Sequence, residues 1–251
     1  MSLPYLQPYL GLSNGVNTLH GGPPPGGWDY EDDYSSYASQ AAADAVWEKN
    51  VTNVQVDIVN DNLKFSSDNV SANWSVANNL ANRGYLPSKL SDTAWVNRHI
   101  VNFTTVQASD GCGVSWCNWG MSSVGKTNSG SGGVFEDWLG WFIYENDFYT
   151  GKVDNQYQNT SSGSTMTTSL TTGLKYMEMI RLSATSFKCE AFSDSGFSSS
   201  LYSATITIPS TIVNLQYATW RKWADTGVCG ANPTVGTIDN FQISNGVTVA
   251  P

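Results

Sequence analysis

Gly236-Thr237-Ile238-Asp239-Asn240-Phe241-Gln242-Ile243-Ser244 closes the chain with the alternation of a β-strand. Ile238 precedes Asp239, Phe241 follows Asn240 and Ile243 follows Gln242, the period of two that gives a strand one dry and one wet face. A strand of this kind needs a partner. The expected one is a short strand just after the acidic opening Asp32-Asp33-Tyr34-Ser35-Ser36, because sandwiches of this sort bring both ends of the domain together.

Working inward from that end, more strands appear. Val54–Ile58, Trp95–Phe103, Val114–Ser122, Trp138–Tyr144, Tyr176–Leu182, Phe187–Phe192, Ala204–Ile208 and Leu215–Trp223 all read as strands, and turn clusters such as Lys126–Gly133 and Asn159–Ser164 separate them. The one good helix former is short, Ala38–Trp47. About ten strands with no alternating helices specify an all-β fold, an antiparallel jelly-roll sandwich. No repeat that would mark a propeller or solenoid is visible.

Composition agrees. Charged residues make up 13% of the 251-residue chain while hydrophobic residues reach 40% and include 10 Trp. The wet surface is therefore built from Ser, Thr, Asn and Gly, which favour strands and turns and suit an extracellular or virion surface. A net charge of −9 with only 12 basic residues argues against a nucleic-acid partner, which needs clustered Lys and Arg. No apolar run of roughly 18 residues is present, so no membrane insertion is expected.

The first 28 residues differ from the rest. Leu3, Tyr5, Leu6, Tyr9, Leu10 and Leu12 are apolar, Pro4, Pro8 and Gly11 prevent a long helix, and Gly21–Gly27 forms a spacer around three prolines. The expectation is an extended assembly arm (1–28) that docks on a neighbouring copy or another subunit, followed by one domain (29–251). Met1–Pro8 has neither a basic n-region nor an unbroken apolar core, so it does not read as a secretory signal; either a signal has been removed or the protein leaves its cell by another route, of which host lysis by a virus is one.

Four cysteines, Cys112, Cys117, Cys189 and Cys229, allow three pairings. A local Cys112–Cys117 bridge is the simplest and leaves Cys189 with Cys229; four reduced thiols are the alternative. The spacing does not suit zinc.

Several segments together resemble a known family. Asp-Asp-Tyr-Ser-Ser-Tyr-Ala-Ser with Ala41-Ala42-Ala43-Asp44-Ala45-Val46-Trp47, Ser91-Asp92-Thr93-Ala94-Trp95-Val96, Ile180-Arg181-Leu182-Ser183-Ala184-Thr185-Ser186-Phe187 and the final Gly-Thr-Ile-Asp-Asn-Phe are similar to the concanavalin A-like lectin/glucanase, or laminin-G-like, jelly rolls of marine microbial and viral surface proteins. The likeness spans roughly residues 29–248. It implies two curved antiparallel sheets, used for glycan binding or as a robust module of fibres and capsids. It also implies a structural calcium near the paired termini, for which Asp32, Asp33 and Asp239 are the candidate ligands; solvated turn and strand residues are the alternative. No other cofactor is expected.

Catalysis is not. Glucanases of this fold carry Glu-x-Asp-x-Glu on one strand, and nothing here matches it: Glu136 and Asp137 fall on opposite faces, and Glu145 and Asp147 flank a turn. For glycan binding the candidates are Trp116 and Asn118, which share the strand face opposite Cys117, Trp119 and Met121. His99 joins them if it lines a groove. It stands with Asn97 in a row that continues to Val101 and Phe103, so an inward-facing row would make both satisfied core residues. The expected function is a non-enzymatic structural protein of a virion or extracellular assembly, a capsid decoration or fibre component; the alternative is a lectin-like module recognising surface polysaccharide.

Overall fold

Fifteen strands and one helix are found among the described residues. The computed structural model describes residues 27–49, 55–66, 74–81, 86, 89–106, 115–125, 137–146, 149–157, 163–224 and 234–251. The strands are β1 (Tyr30–Asp32), β2 (Glu48–Lys49), β3 (Gln55–Asp57), β4 (Asn62–Ser66), β5 (Trp74–Asn79), β6 (Trp95–Thr105), β7 (Ser115–Ser122) and β8 (Trp138–Asn146). They continue with β9 (Tyr149–Tyr157), β10 (Gly163–Thr167), β11 (Gly173–Ser183), β12 (Ser186–Phe192), β13 (Ser200–Thr207), β14 (Tyr217–Ala224) and β15 (Val235–Asn245).

They form two antiparallel sheets. One has the order β13-β12-β11-β6-β15-β4-β3 with β1 added to β15; the other runs β10-β9-β8-β7-β14-β5-β2. This is the expected all-β sandwich. The closing strand pairs with a short strand at the start of the domain as expected, but that strand, β1, leads into the acidic segment and does not follow it, with Tyr30 opposite Ile243 and Asp32 opposite Phe241. Its alternation is interrupted once: Ile238, Phe241 and Ile243 are all fully buried, although the first two are three residues apart. A register shift between Asp239 and Gln242 absorbs the extra residue, and Asn240 adopts φ +48° there, as a β-bulge requires.

Five strands were not anticipated from sequence: β2, β4, β5, β9 and β10. β9 (YTGKVDNQY) carries polar residues at most positions, so hydrophobic alternation is too faint to mark it. The helix α1 (Gln40–Val46) is capped by Ser39, whose hydroxyl accepts from the Ala42 amide at 3.2 Å. It ends by delivering Trp47 to the core. There the indole stacks on Trp119 (centroids 6.0 Å apart) and meets Phe241 edge-on at 5.8 Å. Phe65 on Trp220 at 4.2 Å continues the aromatic layer between the sheets.

A smaller apolar cluster lies outside the sandwich. Val96 and Ile180 project from the outer face of the eight-stranded sheet, and Trp28 and Ala250 cover them. Trp28 and Ala250, near the two ends of the described residues, therefore lie on that face.

Candidate functional site

Strand register lays out the outer face of the seven-stranded sheet. Tyr144, Trp116 and Trp223 are cross-strand neighbours on β8, β7 and β14. The next row is Phe142, Asn118 and Arg221, then Gly140, Gly120, Thr219 and Ala77, then Trp138, Ser122, Tyr217 and Asn79. Trp119 and Met121, of opposite parity, are completely buried between the sheets, as their spacing predicts. Trp116, Tyr144 and Trp223 are placed by register alone.

Gly120 and Gly140 face each other at the centre of this surface. A Cβ on Gly120 would fall 2.2 Å from the Leu139 carbonyl oxygen, and one on Gly140 would fall 2.7 Å from Cζ2 of Trp138. The glycines thus let the backbones close up and the Trp138 ring lie over the floor. Phe142 is 4% and Trp138 3% exposed, so this part of the face is recessed. Two polar atoms on it have no partner among the described residues, Oδ1 of Asn118 and Nε1 of Trp138. An unmet buried donor or acceptor costs about 1–3 kcal/mol.

Toward β5 the face opens into a cleft of about 270 Å³ lined by Glu48, Ala77, Asn79, Gly125 and Tyr217. Its geometry follows from pairing: Asn79 is opposite Tyr217, and Ala77 is opposite both Thr219 and Glu48. Arg221 fixes the turn that carries Gly125. Its Nη2 donates to Ser122 Oγ at 3.1 Å, to the Val124 carbonyl at 3.1 Å and to the Gly125 carbonyl at 3.3 Å, which folds the turn after β7 back over β14. Burial pushes the Arg221 pKa down to about 10, so the guanidinium stays charged at neutral pH. Glu48, Asn79 and Tyr217 were not singled out from sequence, since only the β2–β5–β14 pairing brings them together.

His99 is not at this site. It is 1% exposed and lies between the sheets, which corrects the expectation of a ligand groove and realises the satisfied-core alternative. Trp141 Nε1 donates to His99 Nε2 at 3.0 Å, so Nδ1 carries the proton and donates to Asn97 Oδ1 at 2.8 Å. Asn97 Nδ2 in turn donates to the Gln242 carbonyl at 2.7 Å. Burial lowers the His99 pKa to about 3, and the ring is neutral.

At the β1–β15 seam Asp32 is buried, Asp33 exposed and Asp239 half-buried. No three His, Cys, Asp or Glu residues gather in a metal-holding arrangement among the described residues. Cys189 is fully buried on β12, and burial raises its thiol pKa well above the usual value. Cys112 and Cys229 lie outside the described residues, as do Leu3, Tyr5, Leu6, Tyr9, Leu10 and Leu12; Cys117 is placed by register, opposite Ile143 and Lys222.

No protein-family model and no curated protein matches the sequence. Among solved structures, the legume lectin-like domain from Entamoeba histolytica aligns with 86% of this chain and 97% of its own, at 10% identity and a TM-score of 0.52. The chain folds as a lectin-like jelly roll. A CBM2 module of the evolved Dit of Lactobacillus casei BL23 phage J-1 aligns with 88% of this chain and 97% of its own at 9% identity and TM-score 0.48. The metal-free Emp46p carbohydrate recognition domain aligns with 88% and 99% at 9% and 0.48.

Proposed function

We propose that the protein is a non-enzymatic carbohydrate-recognition module carried on the surface of a virion or extracellular assembly, and that it binds glycan in the Tyr217 cleft. The observation that carries this reading is the composition of the cleft: one aromatic ring, one amide and one carboxylate over a floor of Ala77 and Gly125. Sugars present an apolar C–H face and a ring of hydroxyls. Tyr217 offers the surface for the first, and Glu48 and Asn79 offer acceptors and donors for the second. At about 270 Å³ the cleft is just below the range of sites for drug-sized ligands, roughly 300–1,000 Å³, and fits a single sugar ring.

The lining supports binding over cleavage. Glycoside hydrolysis works with two carboxyl groups, about 5–10 Å apart, and among the described residues the cleft offers one, Glu48. Along β14, Tyr217 and Trp223 stand about 20 Å apart at ~3.3 Å per residue, so a longer chain entering at the cleft is directed toward the Trp116 row.

The placement of the arm's root favours the assembly half of the proposal. The chain enters the domain at Trp28, on the outer face of the eight-stranded sheet, and the cleft opens on the outer face of the other. Docking through residues 1–28 therefore leaves the glycan face outward. A glycan array probed with the full chain tests the reading. Saturable binding weakened by Tyr217→Ala is expected; silence across neutral, amino and acidic glycans would refute it.

A further inference from the structure

The carboxylate of Asp32 is surrounded by protein donors. Tyr34 N–H donates to Oδ1 at 2.8 Å; Oδ2 accepts from Tyr37 Oη at 2.6 Å, Trp47 Nε1 at 2.8 Å and Tyr30 Oη at 3.0 Å. Asp32 is 6% exposed. These donors come from β1, from the turn after it and from the end of α1. Asn78 extends the network by donating to Tyr30 Oη at 3.1 Å from the opposite sheet. A calcium ion would compete for the same two oxygens, yet each already accepts from an N–H or O–H, and two of these donors, Tyr34 N–H and Trp47 Nε1–H, cannot turn away.

We propose that Asp32 is a metal-independent clasp: a carboxylate held by four hydrogen bonds fastens the root of the N-terminal arm, α1 and the closing strand to the sandwich, in place of the calcium ion that jelly rolls of this kind carry near their paired termini. Asp239 accepts from the Asn240 amide at 2.7 Å. Burial raises its pKa, and Asp33, Asp61 and Asp32 add to the rise by repulsion. For Asp32, burial raises the pKa and its hydrogen bonds act against the rise.

Thermal unfolding of the full chain separates the clasp from a metal site. Curves in EDTA, in buffer and in excess calcium chloride are expected to superimpose. Asp32→Asn is expected to lower the Tm by about 5–10 °C, because an amide supplies one acceptor oxygen and turns its own N–H groups toward fixed donors. Asp239→Asn keeps the bond to Asn240 and relieves repulsion, so it is expected to leave the Tm unchanged or raised. A Tm lowered by EDTA and restored by calcium would overturn the proposal, as would an Asp32→Asn variant as stable as the wild type. So would destabilisation by Asp239→Asn, a result that can be read even if Asp32→Asn fails to fold.

Discussion

Tyr217 lies directly against Gly125: a Cβ on the glycine would sit 2.9 Å from the ring's Cε1 and 3.2 Å from Cδ1. Arg221 holds that turn in place through the Val124 and Gly125 carbonyls. The ring is thus seated by a backbone that has no side chain to spare room for, and the cleft has its shape because position 125 is glycine.

Gly125→Val should displace Tyr217 and fill the cleft. Glycan affinity is expected to fall at least about tenfold, or 1.4 kcal/mol, while the Tm changes little because the turn lies at the surface. Titration calorimetry beside a melting curve checks both halves. Loss of affinity with loss of fold would assign Gly125 a structural role instead.

The glycine pair at the centre of the same sheet should behave in the opposite way. Gly120→Ala puts a methyl 2.2 Å from the Leu139 carbonyl oxygen, and backbone in mid-sheet cannot yield as a flexible side chain can. A destabilisation of about 3 kcal/mol, the upper end of overpacking, is expected in urea unfolding.

His99 makes stability depend on pH. With a folded pKa of about 3 against an unfolded value near 6.5, its contribution is fully present above pH 6.5. Below it, the unfolded chain takes up a proton that the folded one refuses. Stability should therefore decline as pH falls from 6.5 toward 3, by up to about 1.4 kcal/mol per unit from this group. His99→Gln should flatten that slope, and unfolding free energies at several pH values in this window measure it.

The arm is separable if its role is assembly. Removing residues 1–26 keeps Trp28 on Val96 and Ile180, so the Tm is expected to hold. Light scattering should show the truncated chain as a monomer at concentrations where the full chain associates. Unchanged association would show that the arm is not the docking element.

Much of the fold could be read from alternation. The parity that places Trp119 and Met121 inside is visible in Trp116–Met121, and the pairing of the first and last strands was legible in Ile238–Ile243. Asn97 and His99 stand out as polar members of a strand row, but spacing alone does not decide whether that row faces inward. What the row could not show was the partner, because Trp141 comes from the opposite sheet. The cleft was hidden for the same reason: Glu48, Asn79 and Tyr217 are far apart in sequence and meet only through β2–β5–β14 pairing. Asp32 was noticed as an acid beside another acid. The hydrogen bonds that occupy it come from tyrosines at positions 30 and 37, the amide of Tyr34 and an indole at the end of the helix. Two of those groups, Tyr30 and Trp47, are drawn together by packing against Phe241, which has no signature in the spacing of charges.

The most direct test is titration of the full chain with an oligosaccharide selected on the array, comparing wild type, Tyr217→Phe, Tyr217→Ala and Trp116→Ala. Saturable binding that survives Tyr217→Phe and drops at least about tenfold in Tyr217→Ala is the expected result, with Trp116→Ala affecting longer chains more than short ones. Binding undiminished in Tyr217→Ala would contradict the account.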